Sequence, residues 1–464
     1  MSPLDKFANI FFIGVAGSGM SALAQYLAAS GKVVSGSDRY FTPGSFNKTR
    51  EQLEAAGIRC FPQDGSGLSA ETDLVIVSTA IEDTVPEVVK AKELSLPVIR
   101  RSELLAYITQ TKRTIAVAGT SGKSTTSAML FDILRTAGLG PGIISGAGLI
   151  SIIEQGRLGN AEMGEGEWLI IEADESDGSI VQYRPSIGLL LNIDKDHQEM
   201  EELIGLFTQF KHNTTGTFIV NQCNSYSKAL SENKELDFSQ CEEQAGYLCS
   251  EFLQQGFQIR FRINGVPFRM NSIGRHNMEN AVAAVATACS IGVDLETCAK
   301  ALENYKGIYR RNQVLGSAGK MIVIDDYAHN PVKCAAAIKA CQPIAPKVIA
   351  WFQPHGYGPT RFLKDDFIKE ISGSLRSEDE IWMSEIFYAG GTAEKNISAN
   401  DLIKGISATG KNTRFIEDRN DLYKHLKDMV QEECVLLLMG ARDPGLENFT
   451  KDLFHQLRSH ENSD

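Results

Sequence analysis

A glycine-rich turn carrying a lysine and a serine stands where a short apolar segment gives way to a helical pattern. It reads Gly119-Thr120-Ser121-Gly122-Lys123-Ser124-Thr125, after the strand-like segment TIAVAG. A turn of this kind points backbone N–H groups and the positive end of a helix dipole at one spot, which favours a bound phosphate. Lys123 would reach the terminal phosphates and the Ser124 hydroxyl would ligate Mg²⁺. The spacing is two residues shorter than the common phosphate loop, and a tight turn with a surface lysine would show the same pattern.

Acidic residues follow two further apolar segments. Trp168–Ile171 runs into Glu172-Ala-Asp174-Glu175-Ser176-Asp177, and 187–193 ends in Asp194-Lys-Asp196-His197. Carboxylates this close repel each other unless cations are present, which indicates a metal and nucleotide site. Since parallel strand ends converge on one edge of a sheet, we expect Glu172 and His197 to meet Ser124 around one ion. A solvated acidic loop and a structural histidine are the alternatives.

A second glycine-rich turn lies near the N-terminus. The strand-like run Ile10–Ile13 leads into Gly14-Val-Ala-Gly17-Ser18-Gly19, and the next predicted strand ends at Asp38. This is the start of a Rossmann-type unit, in which glycines let the backbone approach a diphosphate and a later acid binds a ribose hydroxyl. The order G-x-x-G-x-G fits a nucleotide diphosphate as well as NAD. Ser78 and Ala80, at the end of a further strand, would line the same crevice.

The last third of the chain repeats the pattern of polar residues at strand ends. Arg310 and Arg311 suit a triphosphate or a carboxylate through charge-assisted contacts, although a solvated loop is the alternative. The segment Met321–Ile324 ends in Asp325-Asp326-Tyr-Ala-His329, and 347–352 ends in Gln353-Pro-His355. Imidazole titrates near neutral pH, so His329 and His355 are candidates for accepting a proton from an amine.

The elements that must position these residues alternate between strands and helices. This alternation predicts an α/β fold with mainly parallel sheets. At 464 residues the chain exceeds what one hydrophobic core holds, so we expect two or three domains. The motifs place them at residues 1–107, 108–312 and 313–464, with a first boundary near Gln110 to Arg113.

Charge and composition narrow the classes of partner and compartment. The formal net charge is −12 without a long basic run, which argues against nucleic acid as the main partner. No apolar stretch approaches the ~20 residues of a membrane span and the N-terminus does not read as a signal peptide, so a cytosolic protein is expected. Nine cysteines without a Cys-x-x-Cys pair suggest free thiols rather than a disulfide framework or a zinc site.

Taken together, these motifs resemble the Mur ligase family, the ATP-dependent amide-forming enzymes of peptidoglycan synthesis. The segments GVAGSGMSALA, VSGSD, STAI, AGTSGKSTT, EADESD, NIDKDH, GRHNMENA, YRRNQ, DDYAHNP and FQPHGYGPTR occur in the order of that family and span nearly the whole chain. The resemblance is strongest to the branch that joins L-alanine to UDP-N-acetylmuramate. The separation of Glu172 from His197 also equals that of the corresponding acid and histidine in that branch.

The resemblance implies three domains: a Rossmann-like domain for the UDP part, a central phosphate-loop ATPase and a Rossmann-like C-terminal domain. It implies that ATP phosphorylates a substrate carboxylate and that an amine then displaces phosphate. Lys123, His329, His355 and Arg361 would be catalytic, and Ser124, Glu172 and His197 would hold Mg²⁺. The ATP contacts would be Gly119, Thr120, Ser121, Gly122, Lys123, Ser124, Thr125, Asn277, Arg310, Asp325 and Asp326. The UDP-substrate contacts would be Gly14, Gly17, Ser18, Gly19, Asp38, Ser78 and Ala80.

The chain departs from that branch in places that bear on the acceptor. Ser121 replaces a histidine, and Gly356 and Pro359 stand where the branch has arginines, leaving Arg361. Losing one charge-assisted contact costs about 1.5–3 kcal/mol, so the selection of L-alanine is open. A divergent L-alanine ligase, a recycling ligase that attaches a ready-made peptide, and a paralogue with another acceptor all fit. Carbamylation of Lys211, the number of subunits (one or two) and the extent of domain closure are also open.

Two readings come from other classes of protein. A nicotinamide-dependent oxidoreductase would use the N-terminal glycine turn, but it leaves Lys123, Ser124 and the acidic strand ends unexplained. A catalytically silent UDP-sugar binder would keep the fold without forming amides, and the nearly complete set of ATP-site residues argues against it. The partners we expect are therefore small molecules: ATP, a UDP-N-acetylmuramate-type nucleotide and an amino acid or peptide.

Overall fold

A computed structural model describes residues 3–79, 81–195, 199–241, 244–388, 390 and 394–461. The chain forms two compact units. The first comprises Met1–Ser250, Arg262–Phe268 and Glu279–Ile308, and the second comprises Glu251–Phe261, Arg269–Met278 and Tyr309–Asp464. Ala80 and His197 of the predicted site lie outside the described residues.

The chain begins with a five-stranded parallel sheet in the order β3-β2-β1-β4-β5. Strands β1 and β4 are almost entirely apolar, and a helix follows each of β1, β2 and β4, as expected of a Rossmann-type unit. The elements are β1 (Asn9–Ile13), α1 (Ser18–Ala29), β2 (Val33–Asp38), α2 (Lys48–Ala55), β3 (Arg59–Pro62), β4 (Leu74–Val77), α3 (Pro86–Glu93), β5 (Val98–Arg100) and α4 (Arg101–Thr109).

The second sheet has six strands in the order β11-β10-β6-β9-β7-β8. All its pairs are parallel except that between β7 and β8. The elements are β6 (Arg113–Ala118), α5 (Lys123–Thr136), β7 (Gly142–Ile144), α6 (Ile150–Ile153), β8 (Ala161–Glu162), β9 (Trp168–Ala173), β10 (Ile187–Leu190), α7 (Met200–Asn213), β11 (Thr217–Val220) and α8 (Ser225–Lys228).

A small four-stranded sheet in the order β12-β13-β14-β15 follows in the sequence. It was not predicted, although the alternating polar and apolar residues of QIRFRI at 258–263 are typical of a half-buried strand. The elements between residues 238 and 303 are β12 (Phe238–Ser239), β13 (Tyr247–Gln255), β14 (Gln258–Ile263), β15 (Val266–Met270), α9 (Arg275–Cys289) and α10 (Leu295–Glu303).

The second unit contains a six-stranded sheet in the order β16-β17-β21-β18-β19-β20. The edge strand β16 is antiparallel to β17 and the other pairs are parallel. The elements are β16 (Gln313–Ala318), β17 (Met321–Asp326), α11 (Pro331–Cys341), β18 (Lys347–Gln353), α12 (Tyr357–Phe362), α13 (Lys364–Ser374), β19 (Glu380–Met383), α14 (Ala399–Ser407), β20 (Asn412–Phe415), α15 (Leu422–Leu426), β21 (Cys434–Gly440) and α16 (Leu446–Glu461).

One hydrophobic cluster runs from the first sheet into the second. It includes Ile10 and Phe12 of β1, Leu104 of α4, and Ala116 and Ile171 of β6 and β9, all nearly inaccessible to solvent. The first two predicted domains therefore belong to one compact unit. Their boundary at residue 107, and that at residue 312, stay predictions.

The cysteines and the length of the helices test two further predictions. Cys223 and Cys241 form a disulfide, with Cα atoms 5.9 Å apart, so the expectation of free thiols is wrong for this pair. The other seven cysteines are free thiols. Within the described ranges, no helix is both long enough and apolar enough to cross a bilayer.

Candidate active site

The glycine turn after β6 has the backbone geometry of a phosphate-binding loop. Gly119 and Gly122 have φ of 132° and 88°, which side chains disfavour, and a Cβ on Gly122 would lie 2.4 Å from Asn280 Oδ1. Helix α5 begins at Lys123 with Gly122 as its N-cap, and within the described residues no side chain caps that end. Its first N–H groups therefore face the turn, together with the positive end of the helix dipole. We call residues 119–124 the phosphate loop.

Asn192, just beyond β10, holds the phosphate loop in place. Its Oδ1 accepts hydrogen bonds from the Thr120 hydroxyl (2.8 Å) and from the Ser121 N–H (2.9 Å). Its amide also donates to the Ser121 carbonyl at 3.2 Å. Thr120 in turn accepts from the Asp194 N–H at 3.1 Å. The ends of β6 and β10 are thereby joined, as the parallel arrangement predicts.

Lys123 lies at the centre of an acidic group. Its Nζ is 2.6 Å from Glu175 Oε2 and 3.7 Å from Asp174 Oδ1, and it donates to the Gly119 carbonyl at 2.7 Å. Burial lowers the pKa of Lys123, but the charges of Glu175 and Asp174 outweigh that effect, so its pKa lies above the ordinary value. Burial raises the pKa of Asp174, yet the Lys123 charge brings it below its usual range. This is a compact ion-paired group that keeps a cation at the loop.

Glu172 and Ser124 place a carboxylate and a hydroxyl side by side. The Ser124 hydroxyl donates to Glu172 Oε2 at 2.9 Å, while Glu172 Oε1 accepts from the Ser145 hydroxyl (2.5 Å) and the Gly146 N–H (2.8 Å). A hydroxyl and a carboxylate fit Mg²⁺ as ligands, since this ion typically takes one or two carboxylates plus phosphate oxygens.

The third predicted metal ligand, His197, lies outside the described residues. Within the parts of the chain that are described, no three acidic, histidine or cysteine side chains come together as a metal site. The grouping of Ser124 with Glu172 is as expected, and the role of His197 stays a prediction.

The first glycine turn, residues 14–19, also leads into an uncapped helix. Gly14 has φ of 79°, and the Gly14 and Val15 N–H groups donate to the Ser37 carbonyl at 2.8 and 3.0 Å. Helix α1 has Gly17 as its N-cap, and no described side chain caps it. Since the N–H groups of Gly14, Val15 and Gly17 bind carbonyls of the protein, a diphosphate would meet the N–H groups of the first turn of α1 and its helix dipole. We call residues 14–19 the first glycine loop.

Asp38 supports the first glycine loop from the end of β2. Its Oδ2 accepts from the Ala16 N–H and its Oδ1 from the Tyr40 N–H, both at 3.0 Å, and its side chain is buried. Both oxygens thus bind backbone. The predicted contact with the UDP ligand stays a prediction, and the structure adds a role in shaping the loop.

Arg101 joins the other side of the first glycine loop to the acidic segment after β9. A Cβ on Gly19 would lie 3.0 Å from an Arg101 guanidinium nitrogen, and Arg101 is 3.5 Å from Asp177. Ser78 follows β4 and is half-buried. Arg101 was missed because an arginine at a helix start has no distinctive sequence pattern.

In the second unit, Arg310 and Asp325 form a buried pair. Arg310 Nε and Nη2 bind Asp325 Oδ2 and Oδ1 at 2.9 and 3.1 Å, and Nη2 also donates to the Gly440 carbonyl at 3.2 Å. Burial raises the pKa of Asp325 despite the opposing charge of Arg310. Arg310 has φ of 55°, so the pair holds a residue in a conformation that costs energy. Their contact with ATP stays a prediction.

Asp326, next along β17, also binds backbone. It accepts from the Asn312 N–H at 2.6 Å and the Ala328 N–H at 2.7 Å, and burial raises its pKa. The Asn312 amide contacts His276 Nε2 at 3.1 Å. Burial lowers the pKa of His276 to about 4, so this imidazole is neutral at physiological pH. The neighbouring Asn277 is buried, and its amide donates to the Ile273 carbonyl at 2.8 Å.

The two predicted proton acceptors come together. The ring centroids of His329 and His355 are 5.7 Å apart. His329 Nδ1 is 2.9 Å from the Tyr327 carbonyl, which makes Nδ1 the protonated nitrogen and leaves Nε2 as the basic one. The structure thus groups two histidines that are 26 positions apart (355 − 329) in the sequence.

The loop that departs from the expected arginines forms the start of α12. Gly356 is its N-cap with φ of 73°, a conformation an arginine would adopt only with strain. Arg361, half exposed, donates to Asn396 Oδ1 at 2.6 Å.

In the first unit, Lys211 lies 3.4 Å from Glu232, a pairing that suits an ammonium rather than a carbamate.

Comparisons with known proteins agree along the whole chain. Three family models match in succession: the Mur ligase family catalytic domain over residues 9–113, the Mur ligase middle domain over 117–288, and the Mur ligase glutamate ligase domain over 310–442. The UDP-N-acetylmuramate–L-alanine ligase of Methylobacillus flagellatus is 32% identical, with 95% of each chain covered. The enzyme of the same name from Carboxydothermus hydrogenoformans is 33% identical, with 94% of each chain covered.

Solved structures show the same fold. The UDP-N-acetylmuramate-alanine ligase of Thermotoga maritima has a TM-score of 0.78 at 24% identity, covering 97% of this chain and 99% of its own. A murein peptide ligase from Psychrobacter arcticus has a TM-score of 0.66 at 22% identity, with the same coverage. The predicted α/β fold with three domains is confirmed.

Proposed function

The chain belongs to the Mur ligase family of ATP-dependent amide-forming enzymes of peptidoglycan synthesis, and from that premise we propose that it joins an amino acid or peptide to the carboxylate of UDP-N-acetylmuramate. The observation that supports this best is the group at the phosphate loop. There Lys123, Ser124 and Glu172 lie together at the start of an uncapped helix.

In the first step, a carboxylate oxygen of the sugar nucleotide takes the γ-phosphoryl group of ATP, and ADP leaves. Both reactants are anions, so their repulsion must be neutralised while the two groups are held in position. Lys123, kept protonated by Glu175 and Asp174, would neutralise the terminal phosphates. Ser124 and Glu172 would hold Mg²⁺, which supplies further charge neutralisation when bound. The uncapped N–H groups of α5 would bind the remaining phosphate oxygens.

In the second step, a neutral amine attacks the acyl carbon and inorganic phosphate leaves. The amine nitrogen must lose a proton as the amide forms. His329 is suited to take that proton, because its Nδ1 faces the Tyr327 carbonyl and its Nε2 is the basic nitrogen. His355 lies against the same ring and is the second candidate.

The first glycine loop would hold the diphosphate of the sugar nucleotide. Its support is the uncapped start of α1 and the left-handed turn at Gly14. Asp38 and Ser78 would complete the site, Asp38 mainly by shaping the loop. Since the substrate is a nucleotide-activated sugar, we place the reaction in the cytoplasm, with a monomer or homodimer as the working form.

The acceptor is the least constrained part of the proposal. Gly356 and Pro359 replace arginines at the start of α12, and Arg361 binds Asn396. L-alanine is the acceptor in the names of the curated relatives, and one structural neighbour is a murein peptide ligase. We therefore expect an L-amino acid or a short peptide that begins with one.

Phosphate release tests the proposal directly. With Mg-ATP and UDP-N-acetylmuramate, inorganic phosphate should appear only when the correct acceptor is added from a panel of amino acids and murein peptides. Mass spectrometry should find the new amide on the nucleotide. If no acceptor gives phosphate although UDP-N-acetylmuramate raises the melting temperature, the protein is a silent binder. Stabilisation by NAD(P) instead of Mg-ATP would favour an oxidoreductase.

A further inference from the structure

A buried asparagine links the first glycine loop to the phosphate loop. Asn160 lies just before β8 and is 5% exposed. Its Nδ2 donates to the Ser18 carbonyl at 2.8 Å and to the Ser21 hydroxyl at 2.9 Å. Its Oδ1 accepts from Gln25 Nε2 at 2.8 Å. Both amide hydrogens and the amide oxygen are thus committed to the first two turns of α1, which begins at the first glycine loop.

The backbone carbonyl of Asn160 contacts the residues that lead to the phosphate loop. The Asn160 carbonyl accepts from the Ser145 N–H at 2.9 Å, which extends the pairing of β7 and β8. The Ser145 hydroxyl lies 2.5 Å from Glu172 Oε1, and Glu172 Oε2 accepts from Ser124 of the phosphate loop at 2.9 Å. Hydrogen bonds, joined through the covalent structure of Asn160 and Ser145, therefore connect the start of α1 to the start of α5.

We propose that Asn160 is a positioning residue that couples the two nucleotide sites, so that a ligand on one loop strengthens binding on the other. This rests on the proposed function, because it requires that the first glycine loop hold the sugar nucleotide and the phosphate loop hold ATP. A diphosphate at the start of α1 would order Ser18 and Ser21, which fixes the Asn160 side chain. Asn160 then fixes Ser145, and Ser145 fixes the Glu172 carboxylate in the orientation that suits a cation. By linkage the effect is reciprocal.

The test measures the dissociation constant of UDP-N-acetylmuramate with and without a saturating, non-hydrolysable Mg-ATP analogue. In the unmodified protein we expect the analogue to tighten binding by about 5-fold or more, the usual range of such coupling. In Asn160→Ala this ratio should fall to about 1, even where each site still binds its ligand alone. A merely structural role would lower the melting temperature and leave the ratio unchanged.

Two further variants keep the test decisive. Ser145→Ala removes the next link without opening the buried contacts of Asn160, so it should also abolish the coupling if Asn160→Ala fails to fold. Asn213→Ala is the matched control, because its amide likewise donates to one backbone carbonyl, that of Val181 at 2.6 Å, and its Oδ1 accepts from Gln209, neither of which belongs to a glycine loop. It should keep the full ratio. In Asn160→Ala/Ser145→Ala, the loss should not exceed that of either single variant.

The outcomes separate this inference from the proposed function. If the unmodified protein binds both ligands and makes the amide, but Asn160→Ala and Ser145→Ala keep its ratio, the coupling role is wrong and the ligase assignment stands. If the unmodified protein shows no coupling, the role is likewise overturned. If it binds no UDP-sugar at all, the proposed function fails and the coupling role fails with it.

Discussion

The two glycine loops are alike in backbone and different in charge. Each follows a buried parallel strand and leads into a helix whose N-cap is glycine. The phosphate loop gathers a lysine and the carboxylates of Glu172 and Glu175, whereas the first glycine loop is shaped by Asp38 acting on backbone N–H groups. A phosphate that is only bound needs N–H groups and a helix dipole. A phosphoryl group that is transferred also needs cations that neutralise the negative charge developing on its oxygens.

The strongest test of this difference removes the cation. Lys123→Met should lower kcat by at least about 10²–10³-fold, as when one preorganised electrostatic group is lost, while UDP-N-acetylmuramate still binds. Glu175 would be left buried without its partner, which costs about 3–5 kcal/mol of folding stability. The double variant Lys123→Met/Glu175→Gln should regain stability and remain inactive. Phosphate release and thermal melting measure the two effects.

The matched lysine is Lys32, next to the first sheet. Its Nζ donates to the Leu4 and Phe7 carbonyls at 3.0 and 2.7 Å. Lys32→Met should lower the melting temperature and leave kcat within about twofold. Equal losses of kcat in Lys32→Met and Lys123→Met would remove the distinction drawn between the two loops.

A second test adds one methyl group to each loop. Gly122→Ala should cost about 1–3 kcal/mol of stability and weaken ATP binding, because φ is 88° and the new Cβ would lie 2.4 Å from Asn280 Oδ1. Gly17→Ala should cost less than about 1 kcal/mol, since its nearest neighbour would be 3.4 Å away. Chemical denaturation of both variants gives the comparison. A larger cost at Gly17 would contradict it.

A third test acts on the first loop alone. In Asp38→Asn, one of the two acceptors becomes an amide that faces an N–H group, so the loop loses a charge-assisted hydrogen bond. We expect UDP-N-acetylmuramate to bind about 5–30-fold more weakly, the equivalent of 1–2 kcal/mol. ATP affinity, measured without the sugar nucleotide, should stay within about twofold. Calorimetric titration of each ligand checks this, and a parallel loss of ATP affinity would count against it.

The smallest effect is expected at Ser121. Its contacts with Asn192 are made by backbone atoms, so the side chain can change without releasing the loop. Ser121→His, which restores the residue typical of the related ligases, should alter ATP affinity by less than about threefold. A loss comparable to that of Gly122→Ala would show that the side chain itself binds the nucleotide.

Much of the fold was predictable because its strands are buried on both faces. The strands around both glycine loops and at the acidic ends lie within a few residues of the predicted segments, and the grouping of Ser124 with Glu172 follows from parallel topology. The small sheet β12 to β15 was missed, although the alternation of polar and apolar residues in β14 is a strand pattern. The Cys223–Cys241 disulfide could not be inferred from spacing alone.

The residues that support the site were harder to predict than those that form it. Asn192, Ser145 and Asn160 act through hydrogen bonds to partners distant in the sequence, and nothing in their local pattern marks them. Asp38 shows the converse: its position after β2 was predicted, but the use of both its oxygens on backbone was not. The sequence pattern predicts the reactive residues at strand ends, whereas the residues that hold them in place are determined by the three-dimensional packing.

The hydrophobic cluster that joins the first two sheets limits where this enzyme can be cut into independently folding fragments. Apolar side chains of α4 and β1 share one interior with those of β6 and β9. A protein cut near residue 107 would expose that interior on both pieces, so neither is expected to be a self-sufficient folding module. We therefore expect the first two sheets to unfold together in a single thermal transition.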